Sequence, residues 1–323
     1  MYSTGIQMIL DQKKYFSFSI RILISLLFCF HLSYIVMAQK TEMVKSKLPL
    51  EHGMIHYEFT VAEYPKATIV LIHGFCGSTF SFRYLIDSLH THNYNTVAID
   101  LPPFGYSTYR GGYHKLLYND VIFATLQEIQ RSDNFNTKEL ILLGHSMGAD
   151  IITQYAASYP DDVDALIFIA PAINFNKYNS SPMFTSLLAS NWFGDIVNVI
   201  CNKFIIRYRT IERLVQSAYG QKCDPEAVFG YMKPLQKENF VHEFFEWNRY
   251  YSEMVNLDIS GIKIPIQVCW GSKDTWINSS FAHNVNKIFP HAAFQFISGA
   301  GHCPMETHHD IVNNMLIQFL EKI

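Results

Sequence analysis

The sequence has little charge, no internal repeat and no low-complexity tract. Asp, Glu, Lys and Arg together make up 16% of the 323 residues, and the net charge is −3. Without a basic cluster, the chain gives no reason to expect a nucleic-acid partner. Hydrophobic residues make up 49% of the chain, which is typical of a globular protein with a filled core and excludes a disordered one.

Cysteine is also scarce. Six cysteines are present, and the five that follow the N-terminal segment show no metal-ligand spacing. We therefore expect neither a zinc site nor any other metal. If the body of the chain is exported, Cys201 and Cys223 are candidates for a disulfide. Free, half-buried thiols are an equally good interpretation of the same residues.

The N-terminal segment, residues 1–38, has the pattern of a signal peptide. Basic residues precede an apolar stretch at 22–36, and a small residue follows at Ala38. We expect cleavage after Ala38 and export of the mature chain to the periplasm or the medium. The alternative is an uncleaved single-pass anchor over 16–38, because a bilayer span takes roughly 20 residues. In that case the segment associates with the membrane and the body lies outside the cytoplasm.

Short apolar runs alternate with helical patterns through most of the remaining chain. Buried strands are predicted at 67–74, 95–100, 139–146, 165–171, 264–271 and 292–299. This alternation predicts an α/β fold, with a mostly parallel central sheet covered by helices on both faces. A further strand at 53–61 follows a polar spacer, and its partial alternation predicts a half-exposed strand.

The alternation fails between Pro171 and Met254, where aromatic and Asn-rich helical pieces replace the apolar strands. We interpret residues 172–254 as a helical insertion in a core formed by 39–171 and 255–323. The insertion enters directly after a strand, at the edge where open α/β sheets bind ligands, which favours a lid. Ordinary packing helices are the alternative.

The stretch GHSMG at 144–148 lies between a predicted strand and a predicted helix. A side chain at Gly144 or Gly148 would collide with the neighbouring strand or helix, so the turn is tight and strained. This motif in this context resembles the nucleophile elbow of the α/β-hydrolase family. The resemblance covers nearly all of residues 50–323.

The resemblance implies that Ser146 is a nucleophile, and a serine hydroxyl needs a base to remove its proton. The sequence GAGHCP follows the last strand and supplies His302, about where the family carries its base. The acid is expected after the preceding strand, where CWGSKDTW supplies Asp274. Its carboxylate would hold His302 in the right tautomer. Asp258, which precedes that strand, is the alternative acid.

An oxyanion hole needs two backbone donors that point at the developing charge. One is the amide of Met147, directly after the nucleophile, and the resemblance assigns the other to Phe75 in HGFCG. The stretch DLPPFGYS resembles a further family stretch, with a proline in place of one glycine, and Asp100 within it is interpreted as structural. Four further residues are expected to line the site: His73, Gly74, Cys76 and His145.

The resemblance thus implies a serine hydrolase that needs no metal or organic cofactor and works through an acyl-enzyme. The aromatic insertion favours a small apolar substrate, either a carboxylic ester or a lipid acyl ester. Several alternatives use the same scaffold. They are a hydrolase of carbon–carbon bonds, an acyltransferase, a cofactor-free oxygenase or haloperoxidase, and a ligand receptor with vestigial turnover.

Overall fold

The computed structural model describes residues 43–113, 116–131, 139–173, 206–250 and 257–323. The predicted leader or anchor at 1–38 and Cys201 of the predicted disulfide lie outside these ranges, so both stay predictions. No helix in the described part of the chain combines the length and apolarity that a bilayer span requires.

A nine-stranded sheet forms the centre of the described residues. Its strands are β1 (Val44–Leu50), β2 (Gly53–Thr60), β3 (Thr68–Ile72), β4 (Asn95–Ile99), β5 (Thr108–Tyr109), β6 (Leu140–His145), β7 (Ala165–Ile169), β8 (Ile266–Gly271) and β9 (Ala293–Ile297). The spatial order is β1-β2-β4-β3-β6-β7-β8-β9, and β5 pairs with β2. All pairings from β4 to β9 are parallel, whereas β2 is antiparallel to its three partners. The predicted α/β class with a mostly parallel sheet is confirmed.

Helices flank this sheet. In chain order they are α1 (Arg83–Thr91), α2 (Tyr118–Gln130), α3 (Met147–Ser158), α4 (Tyr208–Tyr219), α5 (Pro225–Leu235), α6 (Phe240–Tyr250), α7 (Ala282–Ile288), α8 (Pro304–Thr307) and α9 (His309–Leu320). Short 3₁₀ turns at Thr79–Phe82 and Ser279–Phe281 precede α1 and α7. Because helices cover the sheet, the central strands β3, β4, β6, β7 and β8 are buried along their whole length, as expected for parallel strands. The edge strand β9 stays largely exposed.

The first two strands differ from the sequence-based expectation. The predicted polar spacer contains β1, which pairs along its whole length with β2. The expectation that β2 is half exposed is wrong, since most of it is buried. Its inward polar groups have partners: the His56 Nδ1–H donates to Asp100 at 2.8 Å, and Glu58 pairs with Lys45 at 2.6 Å. Paired polar side chains can be buried at low cost, and alternation alone does not reveal them.

The order of the strands brings distant chain segments to one edge of the sheet. From β3 the chain passes to β4 on one side and later to β6 on the other, and Ile72 of β3 lies beside Gly144 of β6. Such a reversal opens a crevice at the carboxyl ends of the strands. The loops after β3, β6, β8 and β9 all leave from this edge.

The segment predicted as an insertion is helical in its described part. Residues 206–250 contain α4, α5 and α6, and no strand occurs among them. Residues 174–205 and 251–256 lie outside the described ranges. The boundaries 172 and 254, and the role of a lid, therefore stay predictions.

Candidate active site

Ser146 lies on a strained turn between β6 and α3. Its backbone angles, a φ of 52° and a ψ of −117°, lie in a region that residues other than glycine rarely adopt. The turn is held by the Ser146 N–H, which donates to the Ile169 carbonyl at 2.9 Å. Because the turn follows the last residue of β6, Ser146 lies at the crevice edge of the sheet.

The two glycines of the motif permit close packing around this turn. A Cβ added to Gly144 would lie 2.5 Å from the backbone nitrogen of Ala149, and one added to Gly148 would lie 2.2 Å from the carbonyl oxygen of Ile72. Both distances are shorter than any tolerated contact with backbone atoms. The predicted collisions at these two positions are confirmed.

His302 and Asp274 are hydrogen-bonded. The Nδ1–H of His302 donates to Asp274 Oδ2 at 2.8 Å, and both side chains are buried. The other carboxylate oxygen accepts from the backbone N–H groups of Trp276 at 2.8 Å and Ile277 at 3.0 Å. With its proton on Nδ1, the neutral ring has its lone pair on Nε2 and can accept a proton there.

Asp258 does not take part in this arrangement. It is exposed, and its side chain accepts a hydrogen bond from the Ser260 N–H at 3.0 Å. Hydrogen bonds from Ser260 lower the pKa of the Asp258 carboxyl. Of the two candidate acids, the structure places Asp274 and not Asp258 against His302.

His145, which directly precedes Ser146, contacts His302. The rings of His145 and His302 lie 4.8 Å apart, and His145 Nε2–H donates to the His302 carbonyl at 3.0 Å. Among the described residues, no hydrogen bond joins Ser146 Oγ to His302 Nε2. Such bonds are often long in the free enzyme and shorten when substrate is bound.

The loop that follows β3 packs directly against Ser146. A Cβ added to Gly74 would lie 3.0 Å from Ser146 Cβ and 2.9 Å from His145 Nδ1. The next residue, Phe75, and Met147 at the start of α3 carry the predicted oxyanion donors. Neither amide N–H has a hydrogen-bond partner within the described residues. Both remain available to a negatively charged oxygen, and the N-terminus of α3 favours such a charge.

His73 fixes the shape of the same loop. Its Nδ1–H donates to the Gly74 carbonyl at 2.7 Å, and its Nε2 accepts from the Leu101 N–H at 2.9 Å. Both ring nitrogens are therefore occupied, and burial lowers the pKa of His73. A neutral His73 matches this pattern of one donor and one acceptor, so it shapes the loop and has no free nitrogen for a substrate.

Burial disfavours the charged forms of His145 and Cys76, the other titratable residues predicted to line the site. Burial lowers the pKa of His145 well below its ordinary value. Burial also raises the pKa of Cys76 to about 12. The same cause raises the pKa of Cys303, which directly follows His302, well above its ordinary value. Because the thiolate is the reactive form of cysteine, neither thiol is expected to be a nucleophile near neutral pH.

Asp100 holds a neighbouring loop in place. Its buried carboxylate accepts hydrogen bonds from the Thr79 N–H at 2.7 Å and the Tyr106 N–H at 2.8 Å, in addition to His56. A Cβ on Gly105, which has a φ of +57°, would overlap this carboxylate. The geometry therefore gives Asp100 a structural part.

An aromatic wall beside Phe75 is the feature that sequence reasoning missed. Phe75 is half exposed, and its ring lies 5.5 Å from Phe104, 5.8 Å from Phe244 and 5.9 Å from Trp247. We call these four residues the aromatic wall. Phe244 and Trp247 belong to α6, where the spacing of three places aromatic rings on one helix face. That spacing was visible in the sequence, but its partner Phe104 lies in an irregular loop far away.

Across the ranges that the structure describes, no group of three or more His, Cys, Asp or Glu residues is placed to hold a metal ion.

The strained serine turn at the carboxyl edge of a mostly parallel sheet, with a histidine–carboxylate pair beside it, defines the α/β-hydrolase class. Residues 63–308 match the family model described as serine aminopeptidase, S33. The match spans most of the chain, which therefore belongs to this family of α/β hydrolases.

Comparisons with individual proteins agree with this assignment. The chain is 22% identical to the Bacillus subtilis hydrolase YugF over 79% of its own length and 90% of that protein. It is 23% identical to human monoacylglycerol lipase ABHD6, with coverages of 83% and 79%. A solved structure of 2-hydroxy-6-oxo-6-phenylhexa-2,4-dienoate hydrolase from Rhodococcus sp. strain RHA1 superposes with a TM-score of 0.66 at 18% identity, over 87% of this chain and all of that one. The family and these relatives are hydrolases of the α/β fold.

Proposed function

We propose that this protein is a serine hydrolase that cleaves carboxylic esters with an apolar or lipid-like acyl group. The observation that carries the proposal is the hydrogen bond between Asp274 and His302, at the edge of the sheet where the turn presents Ser146. This bond leaves Nε2 as the basic nitrogen of a neutral imidazole. A serine at a strained turn beside such a base is the arrangement that acyl transfer requires.

In the proposed mechanism, Ser146 Oγ attacks the ester carbonyl carbon while His302 Nε2 takes the hydroxyl proton. The carbonyl oxygen becomes negative and accepts hydrogen bonds from the Phe75 and Met147 N–H groups. The imidazolium then gives its proton to the leaving alcohol, and an acyl-serine remains. Water attacks the acyl-serine, again with His302 as base, and the acid and free enzyme are released.

The aromatic wall supports an apolar acyl group. The rings of Phe104, Phe244 and Trp247 surround the ring of Phe75, and the backbone N–H of Phe75 is one of the proposed oxyanion donors. An acyl chain whose carbonyl is held there would bury methylenes against the rings. The relationship to a monoacylglycerol lipase supports the same substrate class. Export of the chain, with residues 1–38 as leader or anchor, belongs to this proposal as an untested prediction.

The test is a series of p-nitrophenyl esters of increasing acyl length with wild-type protein and two serine variants. We expect kcat/KM to rise about fourfold for each methylene that the wall buries. Ser146→Ala should lower kcat by on the order of 10⁶ while substrate binding is kept. Ser158→Ala, which changes an exposed serine on α3, is the matched control and should behave as wild type. Parental turnover by Ser146→Ala would show that the nucleophile is wrong, and a flat length series would show that the wall does not hold the acyl group.

Hydrolysis of a carbon–carbon bond is the alternative function that a structural neighbour suggests. The chain resembles a hydrolase whose name indicates a dienoate substrate with one hydroxy group and one oxo group. In hydrolysis of a carbon–carbon bond the leaving group is carbon, so the proton held by His302 would go to a carbon atom and not to an alcohol oxygen, while water supplies the hydroxyl of the acid product. Turnover of a vinylogous β-diketone in preference to every ester of the series would favour that alternative.

A further inference from the structure

The C-terminal turn of α4 reaches the loop that carries His302. The His302 N–H donates to the carbonyl of Ala218 at 2.6 Å. This approach depends on the glycine before the histidine, because a Cβ on Gly301 would lie 2.5 Å from the Ala218 oxygen and 2.6 Å from the Tyr219 carbonyl carbon. The backbone of His302 is thus held on both sides, at its N–H by α4 and at its carbonyl by His145.

The same turn of α4 also holds Trp276. The indole Nε1–H donates to Ser217 Oγ at 3.1 Å. The indole lies beside the imidazole of His302, with 5.6 Å between ring centroids and 21° between ring planes. The backbone N–H of Trp276 donates to Asp274. Trp276 therefore contacts the acid, the base and α4, although no step of the proposed mechanism uses it.

We propose that Trp276 is a positioning residue for His302 and that Ser217 of α4 holds it in place. This inference rests on the proposed function, because it assigns a role to a neighbour of the proposed base. The indole restricts rotation of the imidazole about the bond that sets the direction of Nε2. It also places an aromatic face beside a ring that becomes a cation when it takes the serine proton, and an aromatic face attracts a cation. Trp276 does not touch the reacting atoms and acts only through His302.

The experiment compares four single variants, each measured for kcat, KM, the rate of fluorophosphonate labelling and thermal stability. Trp276→Leu removes the aromatic face, and we expect kcat and the labelling rate to fall about tenfold while KM stays within about twofold. Trp276→Phe keeps an aromatic face but loses the indole N–H, and Ser217→Ala removes the acceptor. Each of these two should lower kcat by about threefold. Phe296→Leu changes a half-exposed aromatic residue on the edge strand β9 and should leave all four quantities unchanged.

A double variant separates positioning from general damage. Trp276→Phe and Ser217→Ala remove the two ends of one hydrogen bond, so their combination should be no slower than either single variant. If Trp276→Leu turns over and labels at the wild-type rate, or if the two single effects multiply in the double variant, the inference is wrong. Should Trp276→Leu not fold, Trp276→Phe and Ser217→Ala carry the test. Failure of the proposed function is distinguishable, since the wild-type protein itself would then not be labelled at Ser146.

Discussion

Three buried histidines gather at the carboxyl edge of the sheet, and their partners give them different chemistry. His73 is bonded to two backbone groups, His145 donates to the backbone of His302, and His302 donates to Asp274. Of these three, His302 alone is hydrogen-bonded to a carboxylate. Burial lowers the pKa of both His73 and His145, and a hydrogen-bonded carboxylate is the partner that stabilises an imidazolium once it forms. Under the proposed function, the base is therefore selected by its partner and not by its proximity to the serine.

The residue-scale prediction concerns the acid. Asp274→Asn should lower kcat by about 10⁴ with little change in KM, because an amide can stabilise the wrong tautomer of His302 and cannot balance the imidazolium charge. Asp258→Asn is the matched control and should leave kcat unchanged, since Asp258 is exposed and bonded to Ser260. Steady-state kinetics on one ester decides between them. Equal kcat values for Asp274→Asn and wild type would remove Asp274 from the mechanism.

At the scale of elements, the serine turn depends on how closely α3 approaches the sheet. The backbone of Gly148, in the first turn of α3, packs against the carbonyl of Ile72 at the end of β3. The contact joins the helix that follows Ser146 to the strand that precedes the loop carrying Phe75. Because Gly148 has no side chain, α3 can approach β3 this closely, and this approach sets the distance between the two proposed oxyanion donors.

The element-scale prediction is that Gly148→Ala is strongly destabilising. The new methyl group would lie 2.2 Å from a backbone oxygen, so α3 or β3 must move, and we expect a loss of about 3 kcal/mol in the free energy of unfolding. Gly261→Ala is the control, because a Cβ there has no neighbour within 4 Å; it should change stability by less than about 0.5 kcal/mol. Urea denaturation measures both. A Gly148→Ala variant as stable as Gly261→Ala would contradict the packing described here.

At the scale of the whole body, buried polar contacts join α4, α5 and the loop before α6 to the core. Glu306 of α8 accepts hydrogen bonds from Arg83 of α1, Tyr219 of α4 and Tyr231 of α5. Lys237, just before α6, donates to the carbonyl of Ser107. These contacts hold described parts of the predicted insertion against the core.

A second buried carboxylate gives a prediction about pH. Glu243 of α6 is buried and lies 3.9 Å from Lys237. Burial raises the pKa of Glu243 to about 7, and burial lowers that of Lys237 to about 8. A carboxyl whose pKa is raised on folding binds more protons in the folded state, so its contribution to stability falls as the pH rises from its unfolded value towards about 7.

Glu243→Gln removes this titration. The quantity to compare is the free energy of unfolding of Glu243→Gln minus that of wild type. This difference should rise by about 2 kcal/mol between pH 5 and pH 8, whatever its sign at pH 5. Glu238→Gln, which changes an exposed carboxylate before α6, should show no such trend. Urea denaturation at the two pH values gives the comparison. If the stability of both variants relative to wild type depended on pH in the same way, Glu243 would not take up a proton on folding.

The sequence predicted those features that depend on neighbouring residues in the chain. The buried parallel strands follow from continuous apolar runs, and the turn at Ser146 follows from the glycines on either side. Features that depend on distant partners were missed. β1 is a strand because it pairs with β2, and the polar groups of β2 are buried because Asp100 and Lys45 meet them. The aromatic wall likewise forms only when α6 packs against Phe75 and Phe104.

The central claim is that Ser146 is the nucleophile activated by His302. Its most direct test is treatment of the wild-type protein with a fluorophosphonate, followed by peptide mapping of the adduct by mass spectrometry. We predict one adduct, on Ser146, that is absent from Ser146→Ala and forms far more slowly in Asp274→Asn. An unmodified Ser146 in folded wild-type protein, or an adduct on a different residue, would contradict it.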